Sequence, residues 1–340
     1  MRGELRRWRL RQLNYPRADR IGESMERVMT KVVRSVALHA AFLVAAACHA
    51  DERESREASG LLNAVLANSV AMESFEVFVV LNESAITLDD SVIEASQEYL
   101  IAADNVGNRF SVLKRERRRL GDQRNGCVSS FVIASGKGSR LSCDGKVVSY
   151  DSPSHVLLAQ FGIPDLRLIG HARFLTGHGL FDGLKSRYSS ARDFRMRPLG
   201  GSKRGELQIE LQVLRGPNKL EFQKVWHMDP EQLVPTLYRN RVHNPEKDLW
   251  ITLSTEQISW ADRDGFQVPE SVIGERKKPG IRPDGIDEYF SVDFEATLDW
   301  ISVNRVLPES KFQFGEFEDP GSVVKAIDAA KSKFARTKLK

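Results

Sequence analysis

The sequence predicts an α+β protein that is mainly antiparallel β. Three observations carry this. Leu207, Ile209, Leu211 and Val213 alternate with Glu206, Gln208, Glu210 and Gln212. A period of two places one set on one face of a strand. The short apolar runs that follow are separated by Gly, Asp, Asn and Pro at the spacing of a meander. Helical spacing is confined to a few stretches, chiefly 54–70, where Leu61, Leu62, Val65, Leu66 and Val70 repeat at three and four.

Composition narrows the function ahead of any motif. With 41% hydrophobic and 28% charged residues, the 340-residue chain is neither disordered nor collagenous. Its net charge of +4 invites a nucleic-acid reading. The charge is concentrated, however: residues 1–50 hold ten Lys and Arg against four acids, and the remaining 290 carry −2. A near-neutral body argues against nucleic acid as a partner.

Residues 35–47 are an apolar run of mostly small residues, preceded by Lys31 and Arg34 and followed by Asp51 and Glu52. That is the pattern of a signal peptide over 1–50. The run is shorter than the ~20 apolar residues of a membrane span. Residues 1–24 lengthen the basic region, so Met25 or Met29 is an alternative start. Ala45-x-Ala47 and Cys48-x-Ala50 both fit cleavage after small residues. Ala45-Ala46-Ala47-Cys48 is a weak lipobox, which offers lipid anchoring through Cys48 as the alternative to a periplasmic or otherwise exported protein.

Residues 51–325 read as one domain. Phe75 to Leu81 is a strand with Phe75, Val77, Val79 and Leu81 on one face, and 109–119 is a second with a charged end. Cys127 and Cys143 flank a strand, a Gly-rich turn and a strand. A hairpin centred on Ser135 sets the two positions opposite each other, so a disulfide is expected in an oxidising compartment. Asp144-Gly145 turns the chain into a strand over 146–150. Residues 154–169 suggest a short helix, stopped near Gly162 and Pro164. Residues 170–203 read as an irregular insertion with a helix around 179–189. Strands follow at 207–213, 220–226, 235–242, 249–254, 257–260, 266–275 and 289–298, with a loop at 276–286. A short helix from about Ser322 and a basic tail over 326–340 close the chain.

Three stretches in order carry a family resemblance. They are Cys143-Asp-Gly-Lys-Val-Val-Ser-Tyr-Asp151, then Asp229 to Pro235 with Trp260 to Pro269, then Val303 to Phe314. Together they resemble the LolA/LolB-like outer-membrane lipoprotein carriers over roughly residues 54–325. The resemblance implies a curved, unclosed half-barrel sheet with helices covering the concave face. It also implies a monomer that carries lipid or acyl chains, with envelope lipoproteins as partners. A twisted sheet of this size curls, and the concave side of an open curl is a cleft. Its candidate liners are Phe75, Val77, Val79, Phe131, Leu207, Ile209, Leu211, Val213, Leu220, Phe222 and Trp226. Each of these also suits an ordinary core.

Catalytic and metal patterns are weak. His171 and His178 lack zinc spacing, no Gly-x-Ser-x-Gly elbow occurs, and Gly136-Lys-Gly-Ser139 fails as a phosphate loop. The expectation is a non-enzymatic binding protein without metal or cofactor. Two alternatives stand beside it. One is an envelope hydrolase with His171, His178 and Asp182 in the 170–203 segment. The other is a non-catalytic interaction module.

Overall fold

A computed structural model describes residues 53–338, apart from 89, 121–122, 153–163, 178–180, 191–193, 200–204, 216–219, 245–247 and 282–286. The chain divides into two units, Met1–Arg53 and Glu54–Lys340. The signal segment, Cys48 and the cleavage motifs lie outside the described residues.

Thirteen strands form one sheet among the described residues. They are β1 (Ser74–Ile86), β2 (Val92–Asp104), β3 (Arg109–Leu120), β4 (Gln123–Ala134), β5 (Lys137–Leu141), β6 (Val147–Asp151), β7 (Phe194–Pro198), β8 (Leu207–Arg215), β9 (Leu220–Asp229), β10 (Val234–Asn244), β11 (Leu249–Arg263), β12 (Phe266–Ile281) and β13 (Asp287–Val303). The order is β6-β5-β4-β3-β2-β1-β13-β12-β11-β10-β9-β8-β7, and neighbours are antiparallel throughout. Three α-helices accompany it among the described residues: α1 over 53–70, α2 (Phe181–Ser190) and α3 (Pro320–Lys338).

The sheet is open but curved. At about 4.8 Å per spacing, thirteen flat strands would span roughly 58 Å. Yet Phe131 and Ile133 of β4 and Phe194 of β7 belong to one continuous buried cluster. Only a curled sheet brings strands so far apart in the order around one core. Register breaks at Glu76/Val77, Pro235/Leu237, Asn240/Arg241 and Ser259/Trp260 help to bend it. The inner face carries Phe75, Val77, Val79 and Leu81 of β1, and α1 adds Leu62, Val65 and Leu66 to the same cluster. The outer face has its own smaller core. There Phe78, Leu100, Leu113, Val132 and Leu141 meet Phe317, Val323, Ile327 and Ala330.

β1 pairs with β13, so the two ends of the domain meet at the centre of the sheet. Asn304 secures that seam. Its Oδ1 accepts from the Glu73 and Ser74 N–H groups at 2.7 and 3.3 Å, and its Nδ2 donates to Ala71 O at 2.7 Å. Its φ of 51° suits the left-handed tolerance of Asn.

Several expectations are corrected. β2 is absent from the strands expected, because Glu98-Tyr-Leu-Ile-Ala-Ala103 is too continuously apolar to alternate, and both of its faces are covered. Residues 249–254 and 257–260 form one strand, β11, since Thr255 and Glu256 continue the ladder opposite Glu275 and Gly274. The loop expected from 276 begins no earlier than 282, because β12 pairs with β13 through Ile281↔Asp287. The 170–203 segment contains a strand, β7, at an edge of the sheet. The residues from 326 are not a tail: α3 continues to Lys338 with Ile327 and Ala330 buried against the sheet. Of the helix expected over 154–169, residues 153–163 lie outside the described set, and Leu166–Leu168 form one 3-10 turn.

The disulfide Cys127–Cys143 is present, with Cα atoms 5.0 Å apart. The hairpin register differs by one from the expected one. Ala134 pairs with Lys137 around a turn at Ser135 and Gly136, both at positive φ, and Ser130 pairs with Leu141. The bridge therefore closes beyond the end of the β5 ladder.

The bridge closes a separation of 16 residues, which by loop-closure entropy contributes about 3 kcal/mol. The double variant Cys127→Ser, Cys143→Ser is expected to lose that amount in urea unfolding. Reductant should bring the wild type down to the variant's midpoint and leave the variant unchanged. An unshifted wild type in reductant would contradict a stabilising bridge.

Candidate functional site

β6 and β7 are opposite edges of the same sheet, yet they are consecutive in sequence. The chain between Ser152 and residue 193 must therefore pass from one edge to the other. Its described parts, residues 164–177 and α2, pack into the inner core through Leu166, Leu168, Ile169, Phe174, Leu184 and Tyr188. This crossover is the cover of the curled sheet's inner face.

Its attachment is specific. Pro164 bridges Gly177, and Asp165 pairs with Arg167 at 2.6 Å to stiffen the first turn. Gly170 lies at φ +80°, against β10, where a Cβ would overlap the Pro235 ring. That position requires glycine both for its conformation and for the close approach. Trp226 of β9, fully buried, donates its indole N–H to Gly170 O at 2.8 Å. Phe174 stacks on Phe294 with centroids 5.8 Å apart, and its backbone N–H donates to Glu256 Oε1 at 2.9 Å. Tyr188 of α2 meets Trp226 edge-on at 5.9 Å, and Ser59 of α1 donates to Tyr188 O.

Two ionisable groups are trapped where this cover meets the sheet, His171 on the cover and Glu256 on β11. Burial pushes the Glu256 carboxyl up to about 8, against the opposing pull of the Phe174 N–H and the Arg173 charge. Its Oε2 is buried without a hydrogen-bond partner. His171 is fully buried, and burial, helped by the Lys224 charge, drives it down to about 3. Its Nδ1 lies 3.4 Å from the Tyr188 hydroxyl. Both groups are therefore predominantly neutral at pH 7.

A cavity of about 280 Å³ remains between the crossover and strands β9 and β10. Ala172, Leu184, Phe222 and Tyr238 form its apolar walls, Arg173, Arg187 and Lys224 bring charge, and Thr176 and Asn240 add neutral polar groups. Two wider grooves of about 610 and 660 Å³ share Asn82 and Glu83 and are lined chiefly by polar and charged residues. Most of those residues alternate away from the inner core.

The expected liners separate into three groups. Phe75, Val77, Val79, Phe131, Ile209, Leu211 and Trp226 belong to the inner core cluster, and Leu207 packs against it half-buried. Phe222 lines the cavity. The side chains of Val213 and Leu220 lie outside the described set. Sequence reasoning missed Tyr238, Lys224 and Arg173. Lys224 shares the inward parity of Phe222 and Trp226, and that is the available signal. Of the hydrolase suspects, His171 is sealed from solvent, and His178 and the Asp182 side chain lie outside the described residues. Among the described residues no group of three or more His, Cys, Asp or Glu is placed to hold a metal, and no helix is long and apolar enough to cross a membrane.

No protein-family model matches the chain, and no curated protein matches it by sequence. Solved structures are similar at a distance. A domain from Vibrio parahaemolyticus, described as an outer-membrane lipoprotein-sorting protein, aligns with 78% of this chain and 100% of its own. Its TM-score is 0.38 at 11% identity. A porin-like protein from Bacteroides uniformis aligns with 66% of this chain and 98% of its own, at TM-score 0.23 and 8% identity.

The two trapped groups set a pH profile of opposite slopes. Glu256 keeps its proton in the fold where an unfolded glutamate, near 4.5, has lost it. Its contribution is full below about pH 4.5 and is lost as pH rises to about 8. His171, near 6.5 when unfolded, contributes fully above that value and loses the contribution as pH falls towards 3. Each slope is about 1.4 kcal/mol per pH unit, so from these two groups stability is level between about pH 4.5 and 6.5. Urea midpoints at about pH 7, 7.75 and 8.5 should fall in the wild type and stay nearly level in Glu256→Gln, which keeps the acceptor for Phe174. Equal pH dependence in both proteins would remove Glu256 as the cause.

Proposed function

We propose that this is an exported envelope protein that holds an apolar ligand, a lipid or acyl chain, on the inner face of its curled sheet. The observation that carries the reading is the cavity beneath the crossover, walled by Leu184, Phe222 and Tyr238. Affinity would come from removing methylene groups from water, at about 0.8 kcal/mol each. The cavity is near the lower end of the ~300–1,000 Å³ of ligand sites. It admits one end of a ligand as it stands, and a longer chain enters as the crossover lifts. Such a lift breaks the contacts at Gly170, Phe174, Arg173 and Tyr188. The disulfide and the basic, apolar N-terminal pattern support export. Passing the ligand to or from envelope lipoproteins, the role that the family resemblance implies, belongs to this same reading.

Native mass spectrometry of protein purified from its own envelope is expected to show co-purified lipid. A neutral hydrophobic fluorophore should bind the emptied protein, and Phe222→Gln should weaken that binding at least tenfold. If no lipid co-purifies and no fluorophore binds, the carrier role fails.

A further inference from the structure

We infer that the outer face of the sheet carries a second binding site, a groove for a short extended peptide whose positive and negative groups stand about four residues apart. It is independent of the ligand site on the inner face.

The grooves of about 610 and 660 Å³ play no part in the inner site, and they adjoin at Asn82. Both lie over one cross-strand row. The register aligns Ile273 of β12, Glu295 of β13, Asn82 of β1, Ser96 of β2 and Arg117 of β3. These residues alternate away from the inner core, on the face that α3 covers further along. Arg115, two residues before Arg117, meets Asp328 of α3 at 2.8 Å. The next row repeats the pattern with Glu275, Asp293, Ser84, Glu94 and Arg119. Asn82, Ser84 and Ser96 are short, so the middle of this surface is a trough between longer side chains.

The trough is polarised. Asp293 and Glu295 stand on its β13 side and Arg117 on its β3 side, all three exposed. Glu275 is paired with Lys277 at 3.3 Å and Glu94 with Arg119 at 3.5 Å, so those charges are met within the surface. Asp293, Glu295 and Arg117 make no side-chain ion pair among the described residues. A lone exposed charge needs no partner. Opposite charges on a sheet, however, commonly pair across neighbouring strands. Here the strands between them carry Asn82 and Ser96, which are neutral and short, and the two signs face each other across open space. From β13 to β3 is three strand spacings, about 14 Å at 4.8 Å each. That matches about four residues of extended chain. A peptide's backbone groups would find the Asn82 amide and the Ser84 and Ser96 hydroxyls, and its carboxylate the fork of Arg117. A second copy is a poorer occupant, because two troughs do not fill each other. A membrane needs apolar area, and Ile273 is the one large exposed hydrophobic residue in the described lining.

Isothermal titration of the full mature protein at low salt tests this with acetylated, amidated pentapeptides. Lys-Gly-Ser-Gly-Glu carries its two charges at the required separation, Gly-Lys-Glu-Ser-Gly carries them side by side, and Gln-Gly-Ser-Gly-Gln carries none. Maltopentaose stands for a neutral glycan. The first peptide is expected to bind at least tenfold more tightly than each of the other three probes. Salt at about 0.5 M should remove most of that difference, because exposed charges are screened. Arg117→Glu, or Asp293→Lys with Glu295→Lys, should bring the first peptide down to the affinity of the uncharged one. The triple variant should restore it, since the same peptide then lies in the opposite direction. All three positions are exposed, so the variants keep the fold. Binding of the hydrophobic fluorophore to the inner site should be unchanged in each. Equal binding of the two charged peptides, or a triple variant that stays at the uncharged level, would overturn the polarised trough. Tighter binding of maltopentaose would overturn the peptide class. Binding by none of the four would overturn the outer site and leave the inner one standing.

Discussion

An open sheet of thirteen strands must hide one apolar face from water along its whole width, and the rest of this structure depends on how it does so. Twist curls the sheet, bulges sharpen the curl, and the inner faces of widely separated strands reach a common core. Curling alone leaves an open mouth. The topology closes it, because β6 and β7 are consecutive in sequence but lie at opposite edges. Described parts of the chain that joins them pass over the inner face, and its Leu166, Leu168, Phe174 and Tyr188 complete the core there. What resembles an insertion in the sequence is a requirement of the strand order.

That crossover is held partly by polar contacts to its backbone. The indole of Trp226 and the carboxyl of Glu256 each bind one of its backbone groups. Glu256 bears the cost of burial by keeping its proton, and His171 by giving its proton up. Ser59 and Leu253 O hold the crossover at further points, through Tyr188 O and the Arg173 guanidinium. The outer face follows a different logic. Its core under α3 is local to β1–β5 and needs no crossover.

Much of the fold is legible in the sequence. The alternation at Leu207–Val213 marks β8, whose Ile209 and Leu211 lie in the inner core, and the spacing at Leu61, Leu62, Val65 and Leu66 marks α1 and its buried side. The pairing of Cys127 with Cys143 is legible as well, although the register of its hairpin is not, since one residue of turn geometry moves every partner. β2 escapes notice because a strand covered on both faces has no alternation to display. The candidate site is less legible. Phe222 is visible as an inward apolar residue, but Lys224 on the same face reads as a solvent-facing charge wherever a strand is viewed alone.

The sequence by itself determined the class of the fold, the inward faces of its most regular strands and the concentration of charge at its N-terminus. These are local properties, set by side-chain periodicity and composition within a few residues. Only the tertiary structure decided that β6 and β7 are opposite edges, that residues 164–177 and α2 form the cover, and that Arg173, Arg187 and Lys224 share one cavity. Those residues lie on separate elements, and no local pattern encodes their distance. It follows from the curl of the whole sheet and from the chain that passes between its two edges.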